Sequence, residues 1–202
     1  AEISQGTLHY IFEYQSMMAE LTGMDVSNAS MYDGSTATAE AAIMALASTK
    51  KTDTVLVSAS VDPKVLNVVK TYAHFHGFNV ELIAENDGAT DKEQMDARLE
   101  KGGVAGVIVQ QPNYHGIVED IRRQKATSNI CSNESLMALF VTIYMSVMGK
   151  EGVKEAAQMS YDGAHYLHDA LIATGLFSDK YERPFFNEFC VKYNGDVDRL
   201  QQ

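Results

Sequence analysis

Apolar residues return at helical spacing over 7–22, with Leu8, Ile11, Phe12, Met18 and Leu21 on one stripe that stops at Gly23. After Tyr32-Asp33-Gly34, an alanine-rich stretch to about Ser48 predicts a second helix. Residues 54–60, Thr-Val-Leu-Val-Ser-Ala-Ser, form a short apolar run of the kind found in a buried strand. A helix follows over 63–76, with Asp62 as its cap and Pro63 in its first turn. The pattern continues as a strand over 78–84, a helix over 91–101 and a strand over 104–110. Strands alternating with helices imply right-handed crossovers and a largely parallel sheet, hence an α/β fold. Beyond Ser132 the texture changes to a helix reaching Met148, a turn at 149–152, a helix to about Thr174 and a strand over 184–193. That order predicts a small α+β domain at the end of the chain.

Composition narrows the classes. Hydrophobic residues at 46% and charged residues at 21% describe an ordinary globular chain, and no apolar run is long enough to span a bilayer. No signal-peptide pattern opens the chain, and a cytoplasmic location is expected. The first residue is Ala and leads straight into helix-forming sequence, so a piece of a longer chain is expected. A net charge of −11 disfavours nucleic acid and anionic membranes as general partners. Cys131 and Cys190 lack metal or redox spacing and suit a reducing compartment as small apolar residues.

Positive charge is concentrated in one place, Arg122, Arg123 and Lys125, directly before Thr127, Ser128 and Asn129 and an apolar helical run. Two readings stand. Hydroxyls and amides at a helix start can donate to an anion, or they can simply cap the helix. Tyr32-Asp33-Gly34-Ser35-Thr36 poses the same choice, with Ser35 and Thr36 as anion donors or Asp33 as a cap. Glu2, Ser4 and Gln5 precede the first helix, where Ser4 also reads as a cap. The loop Gln110-Gln111-Pro112-Asn113-Tyr114-His115-Gly116 follows a buried strand, where α/β proteins place functional groups; Asn113 and His115 are its candidates. His74 and His76 end a helix, and His165 and His168 lie one turn apart without a third ligand, so no metal site is expected. The methionines at 17, 18, 24, 31 and 44 read as core filler or buried subunit contact.

Three blocks carry a resemblance: AEISQGTLHYIFEYQSMMAELTGMDVSNASMYDGSTATAEAAIMAL at 1–46, VIVQQPNYHGIVED at 107–120 and RRQKATSNICSN at 122–133. Together they closely resemble the P-protein of the glycine cleavage system, the pyridoxal-phosphate glycine decarboxylase, in its two-subunit form and on the subunit 1 side. The resemblance implies a partial large domain of the aspartate-aminotransferase-like transferase fold over 1–120 and a small α+β domain over 121–202. It implies glycine decarboxylation, with transfer of the aminomethyl group to the lipoyl H-protein. In that family the turn matching Ser35 and Thr36 cradles the cofactor phosphate. Thr127, Ser128 and Asn129 become pocket donors, and Glu2, Ser4, Gln5, Asn113 and His115 become residues of the substrate cleft.

No lysine here follows a buried strand with a His or Asp before it, so the Schiff-base lysine is absent and no catalytic residue is assigned. The resemblance places that lysine, and with it pyridoxal phosphate, on subunit 2. The expected partners are therefore subunit 2, the H-protein and glycine, with no nucleic acid and no membrane. One departure from the family pattern is abrupt: sequence matching Gly116 to Asp120 is followed in the family by more of the large domain, whereas here Ile121-Arg122-Arg123 comes next. An internally shortened subunit 1 is expected, and the alternative to an active subunit is an inactive fragment that scaffolds an interface. An unrelated nucleotide-binding module fits poorly, since Ser58-Ala59-Ser60-Val61 contains no glycine.

Overall fold

The computed structural model describes residues 4–29, 31–49, 52–120 and 135–196. The chain opens with helix α1 (Gln5–Thr22) and helix α2 (Gly34–Ser48). The α/β section then runs through β1 (Thr54–Ser58), α3 (Pro63–His76), β2 (Asn79–Ile83), the two-residue strands β3 (Glu85–Asn86) and β4 (Ala89–Thr90), α4 (Lys92–Glu100) and β5 (Val104–Ile108). It closes with α5 (Ser135–Ala173), β6 (Phe177–Asp179) and β7 (Val191–Tyr193).

Local chemistry sets the helix ends. The carboxylates of Asp33, Asp62 and Asp91 accept from the backbone N–H groups of Thr36 (2.7 Å), Lys64 (2.8 Å) and Gln94 (3.0 Å), satisfying donors that the first turn leaves free. α1 and α3 stop at Gly23 and Gly77, both left-handed, as glycine allows without strain. α5 is two helices that meet at Gly149, whose φ of 62° and ψ of −179° lie outside helical geometry, where the sequence predicts a turn.

β2, β1 and β5 form a parallel sheet in that order, with Val55 opposite Val80 on one side and Gly106 on the other. All five residues of β1 are buried. The core gathers around it: Val55, Val57 and Val61 with Ala39 and Ala42 of α2 and Val69 and Ala73 of α3. Alanine on α2 allows close approach, and a Cβ on Gly106 would stand 3.2 Å from that of Ala45. A second, smaller cluster joins Tyr14 and Ala29, with Val141 of α5 packed against it.

Three expectations are corrected. The strand expected over 184–193 is confined to Val191–Tyr193 and pairs antiparallel with β6; Phe185 makes only an isolated bridge to Ile117. Aromatic side chains in 184–193 supplied the strand-like signal, but Phe185 and Phe189 pack sideways onto α5 histidines instead of joining a ladder. Ser4 stands at the N-cap position of α1 yet makes no side-chain cap bond, because its backbone is helical (φ −88°, ψ −4°) and its hydroxyl is not turned back onto the first turn. The methionines at 17, 18, 24 and 31 are half-buried and Met44 is exposed, so they do not fill the main core.

Candidate functional site at the carboxyl end of the sheet

The order β2-β1-β5 means that the chain leaves β1 in one direction and returns on its other side. The crevice between the carboxyl ends of β1 and β5 is therefore a topological switch point, where parallel sheets bind ligands. Two segments fill it: Ser58 to Asp62 after β1, and the loop from Gln110 to Asp120 after β5. They are laced together by Gln110 Oε1, which accepts from Asp62 N–H (2.8 Å), and by Ser60 C=O, which accepts from Tyr114 N–H (2.8 Å). The Gln111–Pro112 bond is cis.

At the bottom sits Glu119, only 7% exposed. Its Oε1 accepts from the Ser60 hydroxyl (2.8 Å) and the Asn113 amide (2.7 Å), and its Oε2 from Thr90 N–H (3.1 Å). The Ser58 hydroxyl extends the network to Ser60 (2.7 Å) and to the Thr90 hydroxyl (2.8 Å). Gln111 clamps the backbone of Glu119 from both sides, donating to its C=O (2.9 Å) and accepting from its N–H (3.0 Å). A buried carboxylate survives only with such donors. A cleft of about 300 Å³ opens beside it, lined among others by Thr90, Lys92, Ile117, Glu119, Arg183 and Pro184. Its cations are already engaged, Lys92 with Asp120 and Arg183 with Asp87 (3.1 Å). The arrangement is thus a rigid carboxylate frame, with no free base at its centre.

Asn113 is the keystone of the loop. Its amide also donates to Gly88 C=O (2.7 Å), and its Oδ1 accepts from the backbone N–H groups of His115 (2.9 Å) and Ile117 (3.1 Å). His115 is held too: its Nε2 lies 3.1 Å from Glu85 Oε2, and its ring packs on Tyr181 at 5.0 Å. Asn113 and His115 are therefore neighbours, joined through the loop backbone.

Ser35 and Thr36 lie half-buried in the first turn of α2. Asp33 occupies that turn, and its bonds to Thr36 hold its carboxyl below the usual carboxylate range. Ser4 and Gln5 are exposed at the start of α1. Glu2, Thr127, Ser128 and Asn129 lie outside the described residues, as does Cys131.

Sequence reasoning missed Ser58, Ser60, Thr90, Gln110, Gln111 and Glu119. A signal existed: two serines at alternate positions where a buried strand ends, and an acid in a loop that returns toward it. What joined them was a contact across 59 positions of sequence.

A second polar cluster ties β6 to α5. His168 Nε2 lies 2.6 Å from Asp179 and its Nδ1 3.1 Å from Asp169, with the ring against Phe185 and Phe189. With a carboxylate on each ring nitrogen, the imidazolium is favoured, and the Asp179 bond, reinforced by Asp169, raises the His168 pKa above 6.5. A raised folded-state pKa stabilises most below the unfolded value and loses that stabilisation as pH rises through the folded value. Urea midpoints of the native chain are therefore expected to fall, relative to those of His168→Gln, as pH is raised above about 6.5. A parallel pH dependence in the two proteins would contradict this.

The described residues thus define an α/β protein with a parallel sheet, a fold class that the inhibitor-bound glycine decarboxylase structure shares. The family model described as glycine cleavage system P-protein matches residues 1–121 and 119–201, and the chain belongs to that family. It is 35% identical to the probable glycine dehydrogenase (decarboxylating) subunit 1 of Brevibacillus brevis, covering 97% of this chain and 64% of the relative. To the protein of that name from Geobacillus thermodenitrificans it is 34% identical, covering 100% and 66%. It also superposes on the inhibitor-bound crystal structure of glycine decarboxylase (P-protein) of the glycine cleavage system, with a TM-score of 0.81, 27% identity and coverage of 98% and 66%. The chain thus spans just under two thirds of these relatives. The Geobacillus alignment runs over 301 positions against 202 residues here, an excess of 99 that this chain lacks. The two family matches meet at 119–121, at the junction noted in the sequence.

Proposed function

We propose that this chain is the subunit 1 component of a glycine decarboxylase, active only with a subunit 2 that holds pyridoxal phosphate. The reading rests on family membership over nearly the whole chain and on one physical observation. Every lysine among the described residues is exposed, whereas an anchoring lysine must be desolvated in a pocket. The residues present fit the phosphate end of the cofactor only: α2 offers Ser35 and Thr36 at a helix N-terminus, and Asp33 would have to yield its place to an incoming phosphate. When bound, the cofactor supplies an electron sink for the carbon that loses carbon dioxide. This chain's contribution is to shape and dry the pocket. The Glu119 frame fixes the Gln110 to Asp120 loop, with Asn113 and His115 on it. Thr127, Ser128 and Asn129 add donors, and Glu2, Ser4 and Gln5 border the cleft. Residues 1–120 and 121–202 form its two domains. Glycine is the substrate and the lipoyl H-protein the acceptor.

The test is glycine–bicarbonate exchange with this chain, subunit 2 and H-protein, alone and mixed. Exchange is expected only in the full mixture. The shortage of 99 positions favours a second reading, an inactive interface scaffold. Stable pairing with subunit 2 without any exchange would establish that reading and reject the first.

A further inference from the structure

The two edges of the parallel sheet are built differently. β2, Asn79-Val80-Glu81-Leu82-Ile83, carries polar side chains, and Glu81 is clamped by Arg98 through two bonds of 2.6 and 2.9 Å. Charge on an edge strand is how a sheet guards a true border. β5, Val104-Ala105-Gly106-Val107-Ile108, has no polar side chain at all. A continuous apolar run of this kind belongs to a parallel strand covered on both faces. β1 is such a strand and is buried throughout, yet no residue of β5 is fully buried, and Val107 is 37% exposed. Among the described residues β5 pairs with β1 alone.

β5 therefore has the sequence of an interior strand and the position of an edge. The alignment explains why. The family model matches in two segments that meet at 119–121, immediately after β5 and its loop, and the Geobacillus alignment is 99 positions longer than this chain. Consecutive strands of a parallel sheet are commonly neighbours, joined by a crossover of a dozen or more residues, and 99 positions accommodate several such units. β2 already lies across β1, so the chain following β5 adds to the β5 edge.

We propose that the free edge of β5 is an acceptor for a parallel β-strand donated by a separate polypeptide. That polypeptide is one carrying the segment which relatives hold between the positions matching Glu119 and Ile121. A second copy of this chain fits less well. A two-fold pair would bring two β5 strands together antiparallel, with a charge of −11 on each copy.

The experiment mixes the full chain with a polypeptide comprising that segment of the Geobacillus thermodenitrificans relative. Complex formation is read by native mass, and amide exchange by peptides covering 54–58 and 104–108. A one-to-one complex is expected, with exchange in β5 slowed about tenfold and β1 unchanged. Val107→Lys should weaken the complex about tenfold through the cost of burying a charge. That variant is read only while β1 amides remain protected; otherwise the native chain decides alone. The proposal fails if β5 is already as protected as β1 in the isolated chain. It fails equally if the complex leaves β5 exchange unchanged, or if protection instead follows concentration-dependent self-association.

Discussion

Replacing Glu119 by alanine is expected to cost about 2–4 kcal/mol of stability, because a buried hydrogen-bond donor left without an acceptor costs about 1–3 kcal/mol. Three donors converge on this carboxylate, and they are not equally replaceable. The Ser60 hydroxyl can turn to Ser58, and the Asn113 amide keeps Gly88 C=O. Thr90 N–H is the donor with the least recourse, since Glu119 Oε2 is its acceptor and backbone cannot rotate toward another. Glu119→Gln should recover part of the loss by keeping one acceptor oxygen, while turning an NH2 toward one of the donors. Chemical denaturation ranks the three proteins: native above glutamine above alanine. A glutamine variant as stable as the native chain would show that the charge and second oxygen contribute nothing here.

The other large effect is expected at Gly116. Its φ of +82° is in the left-handed region, and a Cβ there would press into the carbonyl of Glu188, a backbone group that cannot swing aside. Gly116→Ala should cost about 3 kcal/mol or more by combining φ strain with steric overlap. The damage should be directional. Around this contact the tail is stitched to the loop by Val118 N–H to Pro184 C=O (2.8 Å) and by the Ile117–Phe185 bridge, and to the β3–β4 turn by Arg183 to Asp87. Limited proteolysis should therefore cut the variant within 177–193 well before it cuts the core around β1. Gly88→Ala offers a graded comparison, because its Cβ would meet the Tyr181 ring, a side chain that can move. A Gly116→Ala variant with the native cleavage pattern would remove the argument that the tail is locked at this point.

These two positions also show how far sequence reading reaches. The helices α1 to α4 and strands β1, β2 and β5 follow from local rules: apolar period, aspartate caps and glycine stops, each acting within a few residues. The family blocks were legible for the same reason, being contiguous strings. The tail was not legible. Its aromatic run looks like a strand, yet His165 stacks on Phe185 at 4.1 Å and only Val191–Tyr193 form a ladder. The small strands β3 and β4 were missed because two residues each leave no period to read.

By itself the sequence determined the order of α1 to α4 with β1, β2 and β5, the parallel α/β class, the family and the break near Asp120, all of which are written in short-range patterns. Only the tertiary structure decided that Glu119 reaches back to Ser60 and Thr90, that Gly116 must leave room for Glu188, and that β5 pairs with β1 alone among the described residues. Those outcomes depend on which distant segments share a crevice. That choice is made by burying apolar surface and satisfying every enclosed polar group at once, a condition on the whole molecule that no local window contains.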